Sequence, residues 1–372
     1  MSSTGSIERS VLSAFAIADT LESKMNFPQN DVSDSQKRIS DTDSDTSSPS
    51  PPAYPFTVSE VFFGPHGLRA IWGVSLFLAI FEALHYCIHP IVRMLSSSSG
   101  TVGLIFPRSL FTYELAALLC ALGATWMMAW VEKRPFSAYG FSRQRSLRNF
   151  CAGLAWGVAL LSLLIVLLRA TGLLVFDARL LFGGSIVRYG FIWLVGFLLV
   201  GVVEELLSRG YLQFTLTRGL SEIYRWLFPT SPANTLGFWT AALILSFAFG
   251  FGHRSNPGES PLGLLSAGLA GFLFCLSLWR TGSLWWAIGF HASWDWAQSF
   301  LFGVADSGVM FNGHLFATHT VGKPYLSGGL TGPEGSLFLL PVMLAGVGVI
   351  LLTLPRTHFG YKPATTAEPS LH

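Results

Sequence analysis

Long apolar stretches recur along most of this chain, separated by short polar segments. They lie at about 70–92, 110–131, 150–168, 188–208, 237–252, 262–279, 284–302 and 337–354. Because a helix needs about 20 apolar residues to cross the hydrocarbon core of a bilayer, these stretches predict eight transmembrane helices. Seven is the alternative count, since the run at 237–252 is short. Regular alternation of the membrane β-barrel kind is missing, so we expect an all-α polytopic membrane helix bundle.

The two ends of the chain differ from this middle part. Residues 1–55 are rich in Ser, Asp and Pro, and such a stretch buries too little apolar area to offset its ordering entropy. We therefore predict a disordered tail at 1–55 and a short interfacial segment at 56–69. The helix bundle is expected over 70–355, followed by a C-terminal tail at 356–372.

Composition supports lipid as the solvent of this chain. Apolar residues make up 51% and charged residues 12%, about half of the roughly 25% charged residues in soluble domains. Mean hydropathy is +0.50. These values argue against a soluble enzyme and a nucleic-acid binder, so the lipid bilayer is the first expected partner and nucleic acid is not one.

The loop at 132–149 sets the expected orientation. It holds five bases and one acid, and basic loops stay in the cytoplasm. With eight spans, both termini are then cytoplasmic and the 303–336 loop lies outside. We predict a multi-pass protein of the bacterial plasma membrane.

Three polar runs interrupt the apolar stretches, where an ionisable residue costs about 2.5–3.5 kcal/mol on insertion scales. The first contains Glu204, Glu205 and Arg209. On a helix Glu205 and Arg209 can pair, which leaves Glu204 free. A free carboxylate in low dielectric has a raised pKa and suits a general base. Alternatively, the helix has reached the membrane interface there.

The other two runs contain imidazoles. Phe249 and His253 lie on one face at the end of an apolar stretch, where His253 could also be an ordinary interfacial residue. His291 and Asp295 have the same spacing within a span, which is harder to explain as interhelical packing alone. Together the runs could activate water and stabilise an oxyanion. They could equally bind zinc, with Glu204, His253, His291 and Asp295 as the metal-ligand set.

The order EExxxR, FxxxH, HxxxD over about 190–300 resembles the CAAX-protease and bacteriocin-processing family of intramembrane endopeptidases. This family is also called the type II CAAX prenyl endopeptidase or lysostaphin-resistance-A-like family. The resemblance implies a bundle of about eight helices around a polar intramembrane cavity. It also implies that Glu204 activates water with help from His253, while His291 and residue 295 stabilise the oxyanion.

The same resemblance gives Glu205, Arg209 and Phe249 supporting roles and requires no cofactor on the glutamate mechanism; zinc is the alternative. One departure is Asp295, where prenyl-processing members have Asn. An ionised Asp cannot donate to an oxyanion, so Asp295 would orient His291 or bind a metal unless it is protonated.

We therefore expect an intramembrane endopeptidase acting on a membrane-associated substrate, either a prenylated CAAX-like peptide or one without a prenyl group. The alternative is a non-proteolytic transporter or assembly factor whose Glu/His cluster binds a proton or ion. For Glu204 to meet His253, the fourth helix must continue past Arg209 to about Leu216 or further. The Gly-rich stretch at 327–336 is expected to form an ordered cap, which turn geometry alone would also explain.

Overall fold

The computed structural model describes residues 58–64, 67–96 and 104–355, and it is dominated by helices. The α-helices, α1 to α11 in chain order, are Val58–Phe62, Ala70–Ser96, Pro107–Val131, Ser146–Ala170, Gly184–Glu205, Gln213–Leu227, Ala233–Gly252, Pro261–Thr281, Trp285–Trp296, Pro324–Ser327 and Leu339–Thr353. Short 3-10 helices occupy Phe136–Tyr139, His253–Ser255 and Pro333–Gly335, and π-helical turns occupy Leu206–Leu212 and Ala297–Leu301.

The strands in the described residues form three small two-stranded sheets. In chain order β1 to β6 are Phe63–Gly64, Gly67–Leu68, Leu104–Ile105, Leu174–Arg179, Met310–Phe311 and Phe316–Thr320. Strand β1 pairs antiparallel with β2, β3 pairs parallel with β5, and β4 pairs antiparallel with β6. None is a membrane barrel strand. The all-α prediction is confirmed, and the β4–β6 pair ties the 303–336 loop to the segment after α4.

Six helical segments of the described chain are long and apolar enough to cross a membrane. They are Ala70–Ser96, Pro107–Val131, Ser146–Ala170, Gly184–Leu227, Ala233–Ser255 and Pro261–Thr281. One further apolar helix, α11 at Leu339–Thr353, is shorter, and α9 with its π-helical turn lies at the predicted run 284–302. Helices thus lie at all eight predicted positions, and six of them are long and apolar enough for a full span. The chain is a multi-pass integral membrane protein.

The fourth predicted span is much longer than its apolar run. Helix α5, the π-helical turn and α6 form one continuous helix of 44 residues, Gly184–Leu227. Its second half is amphipathic, with Arg218 buried and Trp226 exposed. The expected continuation past Arg209 is therefore present, and it places Glu204 near the middle of the helix rather than at its end.

Close backbone packing holds α9 against α4. A Cβ atom at Gly153 would lie 2.2 Å from the carbonyl oxygen of Trp286, and one at Gly157 would lie 2.4 Å from that of Phe290. Only glycine permits this approach, as in other membrane helix pairs. The rings of Trp286 and Phe290 fill the adjoining core, where both are almost fully buried. This packing fixes the helix that contains His291.

The predicted tails lie outside the described residues, as do residues 56–57 and 65–66 of the interfacial segment. In the described part of that segment, α1 and the β1–β2 hairpin leave Val61, Phe62 and Phe63 exposed.

Candidate active site

A buried ion pair lies at the junction between α5 and its π-helical turn. Arg209 Nη1 donates to Glu205 Oε1 at 2.7 Å, and both side chains are inaccessible to solvent. The guanidinium also lies over two aromatic rings, 4.2 Å from the Phe249 centroid and 5.4 Å from the Phe274 centroid. Paired charge and ring faces together make a buried arginine tolerable in low dielectric.

Glu205 also anchors the imidazole of His291. The Nδ1 atom of His291 lies 3.1 Å from Glu205 Oε1. Because the paired carboxylate only accepts hydrogen bonds, Nδ1 carries the proton and donates. In the neutral imidazole, Nε2 is then the free nitrogen. Phe274 stacks on the same ring with centroids 5.3 Å apart, so both the tautomer and the plane of His291 are determined.

Two further carboxylates face the free nitrogen of His291. Glu204 Oε2 lies 3.8 Å from Nε2 and Asp295 Oδ2 lies 3.5 Å from it. Glu204 is about one-third exposed, whereas Glu205 is not exposed at all. The structure thus places Glu204, Glu205, Arg209, His291 and Asp295 in one contiguous cluster.

The Phe249 ring lies next to both His253 and His291. The Nδ1 atom of His253 donates to the carbonyl oxygen of Phe249 at 2.8 Å, which leaves Nε2 as its free nitrogen in the neutral form. The Phe249 ring lies 5.0 Å from His253 and 6.2 Å from His291, centroid to centroid. Within the described chain, the only imidazole in ion-pair contact with Glu204 is that of His291. Phe249 therefore separates the two imidazoles.

The structure adds residues that the motifs did not indicate. Phe274 contacts both Arg209 and His291, yet in the sequence it is one Phe within an apolar stretch. Glu114, on α3, is an electrostatic neighbour of Glu204, and the sequence suggested no role for it. Asp306 and Glu334, in the 303–336 loop, are electrostatic neighbours of Asp295.

Glu259 lies in the turn after His253, outside the membrane-spanning helices. Burial raises the pKa of its carboxyl group, the nearby carboxylate of Glu334 raises it further, and His253 opposes the shift. Glu259 and Glu334, both in loops, therefore lie close enough to His253 and Asp295 to influence them electrostatically, and both loop residues are acidic.

Metal binding was the alternative use of these side chains. In residues 58–64, 67–96 and 104–355, no group of three or more His, Cys, Asp or Glu side chains is arranged to hold a metal ion. The bond of His291 Nδ1 to Glu205 leaves Nε2 facing Glu204 and Asp295, an orientation that zinc-binding imidazoles also adopt. Zinc held by Glu204, His253, His291 and Asp295 therefore stays a prediction.

Comparisons with known proteins give one match. Neither the curated proteins nor the solved structures contain a match to this chain. The family model described as type II CAAX prenyl endopeptidase Rce1-like matches residues 186–297. That segment is less than a third of the chain, but it contains all seven predicted site residues. The resemblance inferred from the three motifs is thereby confirmed over residues 186–297, where the chain is similar to the type II CAAX prenyl endopeptidase Rce1-like family.

Proposed function

We propose that this chain is an intramembrane endopeptidase of CAAX type that hydrolyses a peptide bond of a membrane-associated substrate. The observation that supports this most is the contact of His291 with three carboxylates, of which Glu205 is neutralised by Arg209. Glu204 is left as the carboxylate of this cluster without an arginine partner, and its Oε2 is buried and accepts no hydrogen bond within the described chain.

Glu204 is the proposed general base. The 3.8 Å between Glu204 Oε2 and His291 Nε2 is too long for a direct hydrogen bond. One water molecule lying to the side of this pair can, however, bond both atoms. Glu204 takes the proton of that water as its oxygen attacks the carbonyl carbon, and the protonated Glu204 can then pass the proton to the departing amine.

His291 is the proposed oxyanion stabiliser. Its Nδ1–H is held by Glu205, and an imidazolium Nε2–H directed into the site can donate to the developing negative charge. Asp295 Oδ2, 3.5 Å away, favours this charged form of His291. Asp295 would thus orient and polarise His291 instead of donating to the oxyanion itself. His253 would assist Glu204 from beyond the Phe249 ring.

The mechanism proposed here needs no metal, and the alternative is a zinc ion held by Glu204, His253, His291 and Asp295. The same cluster could instead bind a proton for transport, and the experiment must separate the two functions. The proposed location is the plasma membrane of a bacterium, with the 132–149 loop and both termini in the cytoplasm.

The test is peptide cleavage by the purified chain in lipid vesicles. Membrane-anchored peptides ending in a CAAX-like sequence, with and without a prenyl group, are incubated with the parent and with Glu204→Gln. The substitution keeps size and polarity but removes basicity, so cleavage should fall by about 10²–10⁴-fold. Glu222→Gln is the matched control, because Glu222 lies on α6 without a hydrogen bond or ion pair within the described chain.

Cleavage by Glu204→Gln at the parental rate would disprove the glutamate mechanism. If no peptide is cleaved and the vesicles instead lose a proton gradient through the parent chain, the chain is a transporter and not a protease.

A further inference from the structure

Glu334 joins the 303–336 loop to the helix that contains His291. Its Oε1 accepts a hydrogen bond from Trp294 Nε1 at 3.0 Å. Its Oε2 accepts from the backbone nitrogen of Ser307 at 3.1 Å and from the Ser307 hydroxyl at 2.9 Å. All three partners are donors, so Glu334 acts as an ionised acceptor with both oxygens engaged. Hydrogen bonds to a charged group are the stronger kind.

The Trp294 partner lies between two site residues. It directly precedes Asp295 on α9 and follows His291 by three residues. Its ring stacks on Phe290, with centroids 5.7 Å apart and planes inclined by 17°. A hydrogen bond that fixes the indole therefore opposes rotation of α9 about its axis. Such a rotation would move His291 and Asp295 relative to Glu204.

The Ser307 partner connects the loop to the turn that follows His253. Ser307 has a φ of 44°, unusual for a residue other than glycine, and its carbonyl oxygen accepts from Asn256 Nδ2 at 2.8 Å. Asn256 lies three residues beyond His253. One serine thus bonds both to Glu334 and to the segment after the second imidazole.

Backbone contacts make this arrangement tight. Gly308 has a φ of 82°, and a Cβ atom there would lie 2.6 Å from the backbone nitrogen of Glu259. Gly258 donates to the Gly308 carbonyl at 3.2 Å, and Gly308 donates to that of Thr331 at 2.9 Å. The stretches 303–309 and 328–335 are thus bonded to each other and to the turn after His253, and together they are called the cap here.

We propose that Glu334 is a positioning residue of the hydrolytic reaction. It holds the cap against α9 through Trp294 and Ser307 and so fixes His291 and Asp295 relative to Glu204. It acts through other residues and touches neither the water nor the peptide. This assignment rests on the proposed function, while the bridge between the loop and α9 can be measured without any substrate.

The first experiment is kinetic. Trp294→Phe keeps the aromatic ring but removes the donor, and Glu334→Ala removes the acceptor. Displacing reacting groups by about 1 Å can cost ~10²-fold in rate, so kcat of each variant should fall by roughly 10- to 100-fold with a smaller change in KM. Trp72→Phe is the matched control, because its indole donates to the Val61 carbonyl oxygen, a bond that does not involve α9. It should stay within about threefold of the parent.

The double variant separates this bridge from general damage. The double variant combines Glu334→Ala with Trp294→Phe. If both residues act through their shared hydrogen bond, its kcat should be little lower than that of the slower single variant, because the effects of substituting contacting residues are not additive. Fully multiplicative losses, or parental kcat in Trp294→Phe, would overturn the proposal. Trp294→Phe also keeps the proposal testable if Glu334→Ala does not fold.

Hydrogen exchange provides the measurement that needs no substrate. In Glu334→Ala the amide of Ser307 loses its acceptor, so exchange at 303–309 and at 291–295 should become faster than in the parent and in Glu222→Ala. Unchanged exchange at both sites would overturn the bridge even if cleavage changes. A parent that cleaves nothing would refute the proposed function, and exchange alone would then decide whether Glu334 holds the cap to α9.

Discussion

Substitution of the two adjacent glutamates should affect different properties: stability for Glu205 and peptide cleavage for Glu204. Glu205 is fully buried, accepts from Arg209 at 2.7 Å and from His291 at 3.1 Å, and is the one carboxylate in ion-pair contact with the guanidinium among the described residues. Removing one partner of a buried ion pair costs about 3–5 kcal/mol. Glu205→Ala should therefore lower the free energy of unfolding by that amount.

Glu204 lacks these bonds. Its side chain is about one-third exposed, and its ion-pair contact is the 3.8 Å approach to His291. Substitutions away from buried pairs usually change stability by within about 0.5 kcal/mol. Glu204→Ala should therefore leave stability almost unchanged while cleavage falls by about 10²–10⁴-fold.

Thermal unfolding in detergent micelles, read from intrinsic Trp fluorescence, tests this difference. At about 2–4 °C per kcal/mol for a chain of a few hundred residues, Glu205→Ala should lower Tm by roughly 6–20 °C and Glu204→Ala by no more than ~2 °C. Glu205→Gln should lie between them, because its amide oxygen still accepts from Arg209. Equal Tm losses for Glu204→Ala and Glu205→Ala would refute the division between a structural and a chemical glutamate.

Three other perturbations test separate parts of the structure. A cysteine introduced by Ser137→Cys, in the basic 132–149 loop, should react with an impermeant thiol reagent only from the cytoplasmic side; labelling from outside would reverse the assigned orientation. Asp295→Asn should lower kcat by less than ~10²-fold if Asp295 only supports His291; a larger loss, together with inhibition by chelators, would favour a metal. Burial and the nearby carboxylate of Glu334 raise the pKa of Asp306. The neutral carboxyl group of Asp306 therefore stabilises the folded state fully at a pH below the ordinary Asp pKa. This stabilisation is lost as the pH rises through the raised pKa of the folded state. The Tm of Asp306→Asn should therefore fall less than the parental Tm between acidic and neutral pH, and identical pH profiles would contradict this.

Apolar runs were sufficient to locate the helices but not to determine their ends. The run that predicted a span at 188–208 stops near Arg209, yet the helix continues to Leu227. Polar residues of the continuation are buried against protein: Arg218 donates to the Leu68 carbonyl at 2.7 Å and to Glu132 at 3.2 Å. Hydropathy does not detect a helix whose polar face has such partners, because it counts every charge as solvent-seeking.

The cap shows a different limit of prediction. Its glycines indicated turns, but Glu334 meets Trp294 across 40 residues and Asn256 meets Ser307 across 51. These contacts join segments without any shared periodicity, so no local pattern in a single sequence indicates them. The motifs, by contrast, have spacings of four residues and reveal which side chains share a helix face. The sequence could therefore indicate the residues of the proposed site but not the loop beside them.

The need for two adjacent glutamates follows from helix geometry. Consecutive residues on a helix differ by about 100° in direction, so one guanidinium on the same helix, four residues further on, can face Glu205 but not Glu204. The structure shows this separation, with Glu205 inaccessible beside Arg209 and Glu204 partly exposed. A single glutamate could not both neutralise a buried arginine and remain free to accept a proton from water. With two, Glu205 stabilises the buried charge and fixes His291, and Glu204 stays available on the neighbouring face.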